Sequence, residues 1–148
     1  MELDLNKRYQ TMLTLWFALL MSVVMYFVFL QIVAPDIPNE PINPPGFSLI
    51  VAITVVGAIF VLASFVVKRK LLSRSIENQD AFMVQKAMLV ACAMCEVSAL
   101  LGVLERFIVT GSRAYYTLFV LAIAGDIFHF PRRSQLEAAT YKSKNFAS

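Results

Sequence analysis

The chain has 148 residues, 59% of them hydrophobic and 16% charged, with a net charge of +3 and a mean hydropathy of +0.69. An ordinary soluble domain is roughly 45–50% apolar and about 25% charged, so this composition leaves too little polar surface to cover a soluble core and points into a bilayer. Four membrane-spanning helices of about 20 residues use roughly 80 positions and leave about 68 for ends and loops, which excludes a membrane-tethered enzyme head.

The expected fold is all-α: a polytopic membrane protein with four transmembrane helices in an antiparallel bundle, forming one domain over residues 1–148. The first apolar run covers residues 11–33 without a formal charge. It is longer than the roughly 7–15-residue core of a signal peptide and reads as a retained helix. Between the first and second runs lies a loop, 34–46, in which Pro35, Pro38, Pro41 and Pro44 recur every third residue, followed by Pro45. Polyproline II has three residues per turn, so the spacing predicts a stiff outer strand, either a rigid connector or a docking edge for a partner. The second run is 47–67, the third 81–109 and the fourth 114–130. The third carries Lys86, Glu96, Glu105 and Arg106; the fourth carries Asp126 and His129. After Pro131, the S-x-x-E spacing of Ser134 and Glu137 predicts a capping box and a short helix in the tail, residues 131–148.

Lys7 and Arg8 precede the first run, Lys68, Arg69, Lys70 and Arg74 follow the second, and Arg132, Arg133, Lys142 and Lys144 follow the fourth. Short loops rich in Lys and Arg stay cytoplasmic, which places both termini and the 68–80 loop inside and the 34–46 loop and 110–113 turn outside. Beside a membrane span these cations orient the chain and meet anionic lipid; no nucleic-acid partner is expected. Lys86 is expected to snorkel inward, and Arg106 and Arg113 to reach the outer interface. Tyr9 and Trp16 at one end, and Tyr115 and Tyr116 at the other, fit the headgroup belts.

Glu96 sits midway along the third run, where a charge costs about 2.5–3.5 kcal/mol on insertion scales, so it is expected to face protein or water. Ala87, Ala91 and Cys95 form a small-xxx-small edge, which Ser98, Ala99 and Gly102 continue and Gly57 matches on the second helix, as a surface for close helix approach. Val90, Met94, Val97, Leu101 and Leu104 fall on the other side. Counting from the turn at Gly111, Glu96 and Asp126 each lie about 15 residues away and hence at matched depth. Two acids at one level hold or share a proton, and His129, one turn beyond Asp126, extends a relay toward the cytoplasm. The other reading makes both acids hydrogen-bonded glue between helices. Cys92 and Cys95 form a single C-x-x-C, too little to close a structural zinc site, although with Glu96, Asp126 and His129 a mixed S/N/O site is conceivable. No metal and no cofactor is expected.

The stretch Cys95-Glu96-Val97-Ser98-Ala99-Leu100-Leu101-Gly102-Val103 resembles the carboxylate helix of ATP-synthase rotor-ring c subunits, whose pattern is E-x-x-A, two bulky apolar residues, then G. That resemblance, over about a dozen residues, implies that Glu96 matches the ion-carrying carboxylate. The packing helix of those subunits is glycine-rich, whereas Gly57 is the one glycine of the second run here. The arrangement also resembles small bacterial four-helix membrane proteins with the same segment in helix three, which implies a fold, a bacterial inner-membrane location and no activity.

The sequence thus favours a non-enzymatic accessory or assembly subunit, self-associating or joined to other membrane subunits. The alternative is proton or cation translocation through Glu96, Asp126 and His129. One histidine and no soluble domain leave little machinery for acyl or phosphoryl transfer.

Overall fold

A computed structural model describes residues 2–33, 44–109 and 112–140. Its elements are α1 (Glu2–Val33), α2 (Pro44–Asn78), α3 (Ala81–Ile108), α4 (Tyr115–Phe128) and the short α5 (Arg133–Ala138). No strand occurs among the described residues. The first three helices are long and apolar enough to cross a membrane. The fourth is not the full span expected over 114–130: α4 has 14 residues, or about 21 Å, against a hydrocarbon thickness of about 30 Å.

Two further expectations change. The connection expected over 68–80 is helical through Asn78, because no Gly or Pro interrupts the chain between Gly57 and Gly102 and Lys, Arg and Leu are strong helix formers. At 35 residues, α2 is about 52 Å long and overshoots a bilayer core. It stops where Gln79 adopts a left-handed φ of 51°. The Ser75 hydroxyl donates to the Asp80 carbonyl at 2.7 Å, and the Asp80 side chain accepts the Phe82 N–H at 2.8 Å to start α3. Pro44 opens α2 instead of extending an outer strand. At the first turn its missing N–H would be unpaired in any case. Pro35, Pro38 and Pro41 lie outside the described residues.

The predicted capping box also fails. Ser134 lies inside α5, whose N-cap is Arg132 with no side-chain cap. Glu137 instead pairs with Arg133 at 3.0 Å across one helical turn, satisfying the carboxylate that the box would have used.

α3 is the central element, packed against each of the other four. Its small face explains how. A Cβ on Gly125 of α4 would lie 2.6 Å from Cys95 Sγ and 3.3 Å from Val61, and one on Gly57 of α2 would collide with Leu118. At Gly125 a side chain would press on Cys95 and Val61, and at Gly57 it would need Leu118 to shift, so both glycines favour the close approach of α2, α3 and α4. One apolar cluster joins α1, α3 and α5 through Met12, Val84, Met88, Cys92, Leu136 and Ala139. A second joins α1, α3 and α4 through Val23, Leu30, Ala99, Tyr115, Phe119 and Ala122. Polar side chains occupy the levels between and beyond them.

Candidate functional site

The polar interior is organised around the two ends of α4. A helix leaves its first four N–H and last four C=O groups without intrahelical partners. In a helix this short, packed inside the bundle, those groups need donors and acceptors from neighbouring protein.

At the C-terminal end, Trp16 Nε1 on α1 donates to the Asp126 carbonyl at 2.7 Å. Lys68 Nζ on α2 donates to the His129 carbonyl at 3.1 Å. Trp16 also packs edge-on to Phe130, with centroids 5.0 Å apart. Neither residue is therefore simply the rim group expected: Trp16 is a half-buried donor rather than a headgroup anchor, and Lys68 is buried. Lys68 brings positive charge to the negative pole of the α4 dipole.

His129 is buried, and its ring turns toward α2 rather than joining Asp126 in a relay. Its Nε2 lies 2.7 Å from Ser64 Oγ, and its ring packs on Phe65 at 4.6 Å. Ser64 has one hydroxyl proton, which the Val61 carbonyl accepts at 2.6 Å, so Nε2–H is the donor to Ser64. Ser64 Oγ is also 3.7 Å from Cys95 Sγ, linking α2, α3 and α4 at one level.

At the N-terminal end the partners come mostly from α3 and the adjoining turn. The Ser112 hydroxyl donates to Glu105 Oε1 at 2.7 Å and accepts the Ala114 N–H at 3.2 Å. Glu105 also receives the backbone N–H of Tyr115. Glu105 is fully buried and sets its carboxyl group against the first turn of α4. Arg106 was expected at the outer interface. It is buried instead, with its guanidinium 5.5 Å above the Tyr115 ring. Tyr115 is likewise interior, not a belt residue; it stacks on Tyr116 at 4.2 Å. The cause is the shortness of α4, whose first turn sits beneath the end of the longer α3. Gln31 of α1 reaches the two tyrosine hydroxyls at 3.5 and 3.4 Å. Lys86 remains exposed, its ammonium 4.8 Å from the Phe82 ring centre.

No hydrogen bond joins Glu96 and Asp126. Glu96 instead accepts the hydroxyl of Ser22 on α1. Asp126 is fully buried, neither carboxyl oxygen meets an oxygen or nitrogen donor, and the weakly donating Cys92 thiol of α3 lies beside it. Glu96, Asp126 and His129 thus address three different elements. Cys92 and Cys95 are free thiols, and among the described residues no three His, Cys, Asp or Glu side chains group as a metal site.

The packing candidates Gly57, Ala87, Ala91, Cys95, Ser98, Ala99 and Gly102 are all buried, whereas Val90 and Leu104 are exposed. Sequence reasoning missed Gly125, Ser22, Ser64, Ser112 and the inward role of Lys68. A signal for Ser22 and Ser64 was present: each is a hydroxyl deep in an otherwise apolar run, where its one proton goes either to a carbonyl one turn back or across to another helix and its lone pairs can accept. No family model matches the chain, and no curated protein or solved structure matches it.

Proposed function

We propose that the chain is a multi-pass integral membrane protein, non-enzymatic, serving as an accessory or assembly subunit, with both termini cytoplasmic. Three apolar helices of spanning length support the membrane reading, and the Lys and Arg asymmetry supports the orientation. A bacterial inner membrane is the proposed location, by resemblance to small bacterial four-helix proteins. The observation that carries the structural role is the use made of the interior polar groups: Trp16, Lys68, Ser112 and Glu105 close the ends of α4, and Ser22 and Ser64 pin α1 and α2 to α3 and α4.

A subunit of this kind needs a surface for lipid or partner helices. α1 fits best: 11% of its most apolar stretch is buried, against 44% for α3. Phe17, Met21, Met25, Phe29 and Ile32 are exposed along it. Self-association or pairing with another membrane subunit through this face is the expected mode. Met25→Cys, in a background with Cys92 and Cys95 replaced by Ala, should form crosslinks in native membranes, whereas Leu62→Cys on the outer face of α2 should not. Equal or absent crosslinking at both positions contradicts an α1 interface.

A second reading, proton or cation translocation, is favoured by Asp126, a buried carboxyl group with neither oxygen meeting an oxygen or nitrogen donor. In proteoliposomes the structural reading expects no proton flux above empty vesicles. A flux that collapses in Asp126→Asn and in Glu96→Gln establishes the second reading instead.

A further inference from the structure

We infer that the joint between the C-terminal halves of α2 and α4 is a binding site for the phosphate and acyl chain of an anionic membrane phospholipid; this rests on the membrane reading above. Along one face of α2, Leu62, Phe65 and Val66 are exposed apolar residues, followed one turn later by exposed Arg69. Residues three and four apart share a helix face, so the surface changes from apolar to cationic within a turn. α4 repeats the order. Phe128, 73% exposed, packs against Phe65 with centroids 6.2 Å apart, and exposed Arg132 follows as the chain leaves α4.

The two cationic ends are close in space as well. Lys68 is tied to the His129 carbonyl, which joins α2 one residue before Arg69 to the chain three residues before Arg132. Arg69 and Arg132 make no hydrogen bond or ion pair with any described residue. Arg133 differs, since Glu137 already neutralises it. Two exposed arginines that have no hydrogen bond or ion pair among the described residues therefore follow, on α2 and after α4, the paired rings of Phe65 and Phe128. Guanidinium is suited to phosphate because its planar fork presents paired donors. An amphiphile with phosphate at the cationic level and hydrocarbon along the rings is complementary to both parts, whereas a soluble phosphate ester leaves the rings uncovered.

The full chain in mild detergent should gain thermal stability from phosphatidylglycerol and gain none from phosphatidylcholine or inorganic phosphate. Each basic residue at an anionic membrane surface contributes enough that losing both arginines lowers the lipid affinity about 30-fold. Arg69→Gln with Arg132→Gln should abolish the shift. Lys70→Gln with Arg74→Gln removes the same charge elsewhere on α2 and should preserve it. Phe128→Ser should weaken it without changing net charge. Equal loss in both double variants overturns the site in favour of diffuse attraction to the basic rim, and an equal shift with inorganic phosphate overturns the lipid assignment. Extraction of the chain from membranes by alkaline wash overturns the membrane reading itself, a result separable from either.

Discussion

The two ends of α4 solve one problem by different means. At its N-terminus the donors are satisfied from close by in sequence: Glu105 and Ser112 are seven residues apart, and Ser112 caps Ala114 two residues on. At its C-terminus the backbone N–H groups of His129 and Phe130 meet the last carbonyls locally, and distant donors are added to them, Trp16 110 residues away on Asp126 and Lys68 61 residues away on His129. The local end requires only the α3–α4 hairpin. The distant end requires that α1 and α2 already be seated, so it reports on assembly of the whole bundle. The groups differ as well, with the Glu105 carboxyl at the first turn and the Lys68 ammonium past the last.

The difference can be broken most forcibly at Gly125, where α4 meets both α2 and α3. Gly125→Leu forces a side chain into Cys95 and Val61 and should cost about 3 kcal/mol. It should also abolish the distant contacts together, seen as loss of both Trp16 fluorescence shielding and thermal cooperativity. Next in size is Lys68→Met, which retains the apolar stem and removes a charged donor from a buried carbonyl; a loss of about 1.5–3 kcal/mol is expected in unfolding measurements in detergent. Ser112→Ala removes a neutral hydroxyl at the local end and should cost about 1 kcal/mol. Arg133→Ala, which breaks an exposed pair in α5, should cost no more than about 0.5 kcal/mol. A Lys68 variant as mild as the Arg133 variant would remove the distinction between a rim cation and an interior cap.

The same contrast sets what could be read from the sequence. The three long helices follow from long, predominantly apolar runs, and the small face of α3 follows from the spacing of Ala87, Ala91 and Cys95. The end of α4 did not follow: the apolar run continues to Phe130, while the helix stops at Phe128 because Pro131 disfavours helix in the residue before it. Depth counting placed Glu96 and Asp126 at one level but did not fix rotation, and rotation sends Glu96 to Ser22 and leaves Asp126 beside Cys92. Lys68 looked like an orientation charge because its sequence neighbours Arg69 and Lys70 are exposed. Only the packing of α2 on α4 shows that the first residue of that run turns inward. Ser112 lies in a polar turn where nothing marks it, whereas Ser22 and Ser64 are marked only as hydroxyls within apolar runs.

The central claim is that α4 ends inside the bundle and that side chains from α1 and α2 hold its last turn. Amide hydrogen exchange of the full chain in lipid nanodiscs tests it most directly, comparing the wild type with Trp16→Phe and Lys68→Met. The account predicts lost protection concentrated at residues 125–130, with the first turn of α4 at Tyr115 still protected by Glu105 and Ser112. Unchanged exchange at the last turn, or equal loss at both ends, would contradict it.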